Sequence, residues 1–197
     1  MYSLPESANK LIDEFAKLPG IGRKTAQRLT FFILKNEKDK VFELSNALLN
    51  IKEKIIHCSI CFGITENDPC AICKDTSRNK NLLCVVENAY DIIVFEKTNG
   101  FKGKYHVLGG VLSPLDGIGP DDLRVTELIQ RIKPEMEIIL AMNPNVEGET
   151  TSLYLAKILS RKDINISRLA RGIPVGSDLG YIDSATLTRA MEGRTSV

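Results

Sequence analysis

The apolar residues in the first third of the chain recur every three or four positions. Three such runs follow one another between Glu6 and about Ile55. Residues at this spacing lie on one face of an α-helix, so the pattern predicts three consecutive helices. The first is expected to have Ser7 as its N-cap and to end near Leu18, because Pro19 cannot continue a helix and disfavours helical angles in the preceding residue.

From Asn81 the chain changes to short apolar runs of strand length. The four runs are LLCVVE (82–87), YHVLGG (105–110), EIILAMN (137–143) and NISRLA (165–170). Helical patterns lie between them, near residues 89–96, 123–132 and 151–160. Strands that alternate with helices indicate a parallel sheet with helices on its faces. A glycine-rich loop follows the last strand, and after it we expect a short helix capped by Asp183.

Composition adds two constraints. The 197 residues carry a net charge of +1, so total charge does not indicate a class of partner. The distribution is more informative, because five bases and no acid lie between Glu14 and Glu37, which suits an anionic partner. No apolar run approaches the ~20 residues of a membrane span, and the first residues lack a signal peptide's apolar segment, so we expect a soluble cytoplasmic protein.

Four of the five cysteines form two CxxC pairs separated by eight residues. They are Cys58, Cys61, Cys70 and Cys73. Two such turns supply four thiolates in a tetrahedron, so the spacing predicts a structural Zn²⁺ site; two disulfides or free thiols are the alternatives. His57 is adjacent, but four sulfurs already fill the coordination shell. Cys84 lies in an apolar strand and is expected to be a core residue.

The segment LPGIGRKTAQR (18–28) joins the first two predicted helices. Gly20 and Gly22 allow backbone angles closed to other residues, and a helix follows at once. Its free amides would form a phosphate site, with Lys24 and Arg28 on one face just above them. From the residues alone, a helical corner with solvated cations remains equally open.

These motifs together carry a resemblance. Helix, LPGIG and helix with following cations resemble a helix–hairpin–helix element, and a four-cysteine module and an α/β segment with VVE at its first strand end come next. With NPNVEGETT (143–151) and RLARGIPVGSDLGYID (168–183), the whole chain closely resembles the RecR family of bacterial recombination mediators. The resemblance implies an α+β multidomain chain: a helix–hairpin–helix region at 1–56, a four-cysteine zinc finger at 57–76, an α/β Toprim domain with a mainly parallel sheet at 80–175 and a C-terminal assembly segment at 176–197.

Active Toprim enzymes pair a glutamate after the first strand with an Asp-x-Asp after a later one, and these acids hold Mg²⁺. Glu87 occupies the glutamate position, but the second position reads Asn143-Pro144-Asn145. Losing two anionic ligands weakens Mg²⁺ binding, so we expect no catalytic residues and no Mg²⁺ cofactor. The alternative is a Mg²⁺-dependent Toprim nuclease or topoisomerase.

Four acids are expected near the carboxyl edge of the Toprim sheet, namely Glu87, Asp91, Glu147 and Glu149. The resemblance implies that this acidic crevice receives a basic partner surface, and RecO is thought to engage the region. A weak metal site and ordinary acids at a helix start are the other interpretations.

The function implied is a non-enzymatic, DNA-binding recombination mediator of the RecF pathway. It would act with RecO and RecF to load recombinase at gapped or single-stranded DNA. The expected contacts to DNA, independent of base sequence, are Gly20, Gly22, Arg23, Lys24 and Arg28. RecR proteins are similar in forming ring-like oligomers, typically tetramers, through N-terminal elements and the C-terminal segment, although that segment could instead dock on its own sheet. A zinc-ribbon scaffold without direct DNA contact is a further alternative.

Overall fold

The computed structural model describes residues 4–160 and 164–194, and the chain divides into two compact units at Ile55 and Ile56. The first unit contains three helices, which are α1 (Glu6–Ala16), α2 (Arg23–Lys35) and α3 (Lys38–Lys54). Helices α1 and α2 pack together through buried residues such as Ile12 and Ala26, whereas α3 buries none of its side chains. The three predicted helices are confirmed.

The N-cap prediction for α1 is wrong. Pro5 occupies that position, because its carbonyl accepts the backbone N–H groups of Ala8 and Asn9. Ser7 therefore lies inside the first turn. The fixed φ of proline suits a residue that leads into a helix, so the helix starts earlier than the serine suggests.

The second unit begins with a small antiparallel hairpin, β1 (Ile56–His57) and β2 (Ile64–Thr65), followed by the short helix α4 (Ala71–Lys74). A four-stranded sheet follows. Its strands are β3 (Leu82–Val86), β4 (Lys104–Val107), β5 (Glu137–Ala141) and β6 (Asn165–Arg168). They are all parallel, in the order β4-β3-β5-β6, so the predicted parallel sheet is confirmed.

Helices cover the sheet and join its strands. They are α5 (Ala89–Lys97), α6 (Val125–Arg131) and α7 (Val146–Leu159), and α8 (Ser184–Glu192) follows β6. Along β3 successive side chains enter opposite cores: Leu83 and Val85 belong to the larger cluster, Cys84 and Val86 to the smaller. Cys84 is thus a core residue as predicted, and Asp183 caps α8 by accepting the Thr186 N–H at 2.9 Å.

Strand order places the switch point of this sheet at β3, which has β4 on one side and β5 on the other. Open parallel sheets bind ligands outside the carboxyl ends of the strands at such a point. Glu87, directly after β3, and Asn143, two residues after β5, lie at this edge.

Candidate functional site

The two CxxC pairs converge on one point. The sulfur atoms of Cys58, Cys61, Cys70 and Cys73 all lie within 4.8 Å of one another. A tetrahedral zinc with Zn–S bonds of about 2.3 Å separates its sulfurs by about 3.8 Å, and Cys61 and Cys70 are 3.6 Å apart. Backbone N–H groups also point at the sulfurs, at 3.3 Å from Cys70 to Cys58 Sγ. The donor set and its spacing fit a closed structural zinc site.

The four thiols lie so close together that their pKa values shift in opposite directions. A hydrogen bond from the Cys73 thiol lowers the pKa of Cys61 to about 5, whereas burial raises the pKa of Cys70 to about 11. Cysteine binds zinc as the thiolate, so the protons on the thiols leave as the metal binds. All four cysteines are free of disulfides, which removes one alternative from the structure.

The glycine turn between α1 and α2 has the geometry expected from its sequence. Gly20 has φ +78°, a left-handed angle that favours glycine, whereas Gly22 is an extended N-cap that has no side chain to cover the helix start. In the described part of the chain, the backbone N–H groups of residues 23–25 have no hydrogen-bond acceptor. They form a free, partially positive end on a 13-residue helix.

The cations at this helix start differ in their surroundings. Arg23 contacts Asp13 of α1 at 3.2 Å, across an exposed ion pair. Lys24 and Arg28 are exposed and have no ion-pair partner in residues 4–160 and 164–194. Together with Phe31 they line a shallow surface on α2. The sequence placed all three cations in one group, and the structure separates Arg23 from the other two.

At the carboxyl edge of the sheet, Glu87 is buried and fully engaged. Its carboxylate accepts the backbone N–H of Asn143 at 2.5 Å and the Asn143 side-chain amide at 2.6 Å. Gly148 in the first turn of α7 lies against this pair: a Cβ there would stand 2.2 Å from the Asn143 carbonyl oxygen and 3.1 Å from Glu87 Oε1. An amide thus joins the ends of β3 and β5 where an active Toprim enzyme has carboxylates.

The other three acids of the predicted crevice have separate surroundings. Asp91 accepts the Asn88 N–H at 2.8 Å and so caps α5. Glu149 contacts Arg168 at 3.0 Å and also Arg171, whose hydrogen bond lowers the pKa of the Glu149 carboxyl. Glu147 is half-buried in the first turn of α7. The structure therefore brings Glu87 next to the start of α7, while Asp91 and Glu149 are engaged by their own neighbours.

The chain matches four family descriptions in succession. They are the RecR helix-hairpin-helix over residues 8–52, the RecR four-cysteine zinc finger domain over 55–75, the Toprim domain over 81–170 and the RecR C-terminal region over 172–195. Recombination protein RecR of Chloroherpeton thalassium is 59% identical over 195 residues, covering 95% of each chain. The chain belongs to the RecR family. RecR proteins of Chlorobaculum parvum and Chlorobium chlorochromatii are 56% and 57% identical, again over 95% of both chains.

Membership of the RecR family confirms the resemblance inferred from the motifs, including the four-cysteine zinc finger and the Toprim domain. None of the helices in the described part of this chain is long and apolar enough to cross a membrane.

Sequence reasoning missed several residues that shape these sites. Lys104, at the start of β4, donates to three carbonyls beside Cys73. Arg131 is half-buried and donates to the Tyr105 carbonyl; desolvation lowers the pKa of its guanidinium, and the negative charge of the nearby cysteines opposes that shift. The only signal in the sequence was a lysine opening an otherwise buried strand, KYHV, where cations are rare.

Proposed function

We propose that this chain is a non-enzymatic recombination mediator that binds DNA through the start of α2. The observation that carries the proposal is the pairing of uncapped amides at residues 23–25 with the unpaired cations Lys24 and Arg28. Amides at a helix N-terminus and nearby cations hold a phosphate without reading bases. The printed name of its relatives, Recombination protein RecR, supports a role in recombination and repair. Such a role would place the protein in the cytoplasm, at the nucleoid.

The double variant Lys24→Ala/Arg28→Ala tests this proposal. It should bind every DNA sequence more weakly, and the slope of log affinity against log salt should become shallower by about 0.9 for each phosphate that is no longer neutralised. Fluorescence anisotropy with a labelled duplex across a salt series measures both quantities.

The matched control removes two cations from α1 of the same unit, Lys10→Ala/Lys17→Ala. These lysines are paired with Glu6 and Glu14, each at 2.7 Å, so their loss should have little effect. The proposal fails if the Lys24/Arg28 variant keeps the affinity and slope of the parent. In the same preparation, supercoiled plasmid with Mg²⁺ should be neither nicked nor relaxed.

We further propose that the carboxyl edge of the Toprim sheet receives RecO, and that RecF joins the same assembly to help load recombinase. Asp91 and Glu147 are partly buried acids without an ion-pair partner in the described residues, whereas Glu149 is paired with two arginines and Glu87 is enclosed. Asp91→Asn/Glu147→Gln removes two charges and retains an acceptor to cap α5. Surface plasmon resonance should show weaker binding to immobilised RecO, with Asp121→Asn/Glu66→Gln as the exposed, charge-matched control. If the two double variants lost the same amount of RecO affinity, the crevice would not be the RecO site.

Assembly into a ring, with four copies as the expected number, completes the proposal. Helix α3 exposes apolar side chains along its length, and Val175 and Tyr181 of the C-terminal segment are almost fully exposed. Contiguous exposed apolar surface is typical of an interface between proteins. Several hairpins on one duplex would add their weak phosphate contacts through local concentration.

A further inference from the structure

Strand β4 contacts both halves of the zinc site. At its first residue, the Lys104 ammonium donates to the carbonyl oxygens of Ile72 at 2.6 Å, Asp75 at 2.6 Å and Cys73 at 3.2 Å. These carbonyls surround the last ligand of the second CxxC pair. At the strand's last residue, the Val107 N–H donates to the carbonyl of Cys61, at 2.8 Å. One strand of the Toprim sheet thus holds the backbone of a ligand from each pair.

The positive charge of the Lys104 ammonium lies in a buried position next to the zinc site. The side chain is largely buried, and in residues 4–160 and 164–194 it has no carboxylate partner within ion-pair distance. An isolated buried cation is costly unless an opposite charge lies nearby. Zn²⁺ with four thiolates carries two net negative charges, and three of the four cysteines are buried. The Asp75 carboxylate, which interacts with the Lys104 charge, is one source of negative charge, and the loaded site would add a second.

The neighbourhood fixes the rest of the first CxxC pair. Phe62, which follows Cys61, has φ +62°, and its ring packs edge-on against His106 of β4 with centroids 5.5 Å apart. The Arg124 guanidinium lies 4.9 Å from the centre of the same ring. The first pair is consequently held by this packing and by backbone hydrogen bonds of Cys58 and Cys61, whereas Lys104 is the side chain that donates to the carbonyls around the second pair.

We propose that Lys104 is a positioning residue of the zinc site. Its three hydrogen bonds hold the second CxxC turn in ligand geometry, and its charge offsets part of the charge on the metal–thiolate centre. Residues beside a metal site commonly affect its affinity by 10–100-fold. The proposal concerns zinc alone and is independent of DNA binding.

The test uses the full chain, loaded with zinc and with its zinc content measured first. A parent protein that holds no zinc would overturn the premise. Competition with a chromogenic chelator, 4-(2-pyridylazo)resorcinol, should show that Lys104→Met binds zinc 10–100-fold more weakly than the parent. Zinc affinity within twofold of the parent would overturn the proposal.

Two controls separate positioning from general destabilisation. Lys102→Met removes an exposed cation two residues earlier and should leave zinc affinity unchanged. Thr151→Val removes a buried hydroxyl that bonds Leu112 and Glu147, so it destabilises the same unit away from the cysteines. If Thr151→Val weakened zinc binding as much as Lys104→Met, the role of Lys104 would be structural only, and the proposal would be wrong.

A second variant covers the case in which Lys104→Met does not fold. Lys104→Gln keeps two N–H donors on a shorter, neutral side chain, and Co²⁺ titration reports both affinity and ligand number. We expect the absorption bands of the parent's four-sulfur site at a higher Co²⁺ midpoint. A midpoint equal to that of the parent would overturn the proposal, whereas bands showing that a sulfur ligand is absent would support the positioning role directly.

Discussion

At the scale of single residues, Gly148 occupies a position with no room for a side chain. A side chain there would stand 2.2 Å from the Asn143 carbonyl oxygen and 2.9 Å from Asn145 Oδ1. Both atoms belong to a turn fixed by the Glu87 carboxylate and by the cap of α7, in which Asn145 accepts the Gly148 N–H at 2.8 Å. The clash cannot be relieved without shifting backbone.

Gly148→Ala should therefore destabilise the second unit by at least about 2 kcal/mol. Gly172→Ala is the matched control, since its nearest contact would be the Ala190 Cβ at 4.0 Å. Tyrosine fluorescence during urea unfolding measures the effect, because the chain has no tryptophan and four of its five tyrosines follow Ile56. Similar midpoints for the two alanine variants would contradict the prediction.

His106 makes the second unit sensitive to acid. It is completely buried, its Nε2 lies 2.8 Å from the Arg124 carbonyl oxygen, and its Nδ1 lies 3.0 Å from the Arg131 guanidinium. The neutral ring satisfies both contacts by donating from Nε2 and accepting at Nδ1. Burial lowers the pKa of His106 from 6.5 to about 4.

Because the folded pKa is lowered, the unfolded chain binds more protons between about pH 4 and pH 6.5. The stabilising contribution is full above pH 6.5 and is lost as pH falls through this window, by roughly 3 kcal/mol. His106→Gln should flatten that part of the unfolding free energy. Urea unfolding of parent and variant from pH 7.5 to 4.5 measures the difference, in which acid release of zinc from both proteins cancels. Parallel pH profiles would refute the prediction.

At the scale of elements, the sequence predicted what local patterns determine. The apolar runs located all four parallel strands; the signal is strongest in the central strands β3 and β5, since buried parallel strands are continuously apolar. The CxxC spacing located the zinc module, because each pair of ligands lies within four consecutive residues. Helix α7 begins at Val146, before its apolar pattern, because its first turn, VEGE, is placed by the Asn145 cap and the close approach of Gly148.

The sequence pattern does not predict contacts between residues that are far apart in the chain. Glu87 and Asn143 are 56 positions apart, and Lys104 lies about 30 positions from the carbonyls it binds. Likewise, the sequence assigns Glu149 to an acidic crevice for a basic partner, whereas Arg168 and Arg171 of the same chain pair with it. A single sequence gives the charge of such a residue but does not indicate which opposite group the fold will bring to it.

Helix α3 carries the element-scale prediction. Its apolar stripe includes Leu44, Leu48 and Ile51, all exposed, whereas Glu43, Asn46 and Asn50 lie on the polar side of the helix. Leu48→Glu should lower the oligomer mass while leaving the helical content of the chain unchanged, because an exposed site contributes little to the fold.

Light scattering after size exclusion gives the mass, and circular dichroism gives the helical content. Asn50→Glu introduces the same charge on the polar side and should keep the mass of the parent. If Leu48→Glu also kept that mass, α3 would be excluded as an assembly surface.

At the scale of the whole molecule, the zinc module and the sheet belong to one compact unit, separate from the three helices before Ile56. Phe62 and Ile72 of the module pack against the smaller core of the sheet. The module has too few residues to fold by apolar burial alone, so the metal supplies much of its stability. Damage to the zinc site should consequently spread into the Toprim sheet.

Zinc removal by a chelator should therefore reduce amide protection in residues 56–75 and also in β4, while α1 and α2 keep theirs. Hydrogen–deuterium exchange with peptide resolution measures the three regions together. Restoring zinc should return the original protection, which controls for damage by the chelator. Loss confined to residues 56–75 would show that the sheet is independent of the metal.

The amide of Asn143 also has a consequence for how this sheet edge can change over time. Codons for asparagine and aspartate differ by a single base, so an acidic residue is one mutation away. An aspartate at 143 would bring a carboxylate to within about 2.6 Å of the buried Glu87 carboxylate, where two negative charges cannot both persist without a proton or a cation. The glutamate–asparagine pair is thus separated from a metal-holding pair of carboxylates by an unfavourable intermediate. Because the first mutation on this route places two carboxylates side by side, the asparagine is favoured over the aspartate.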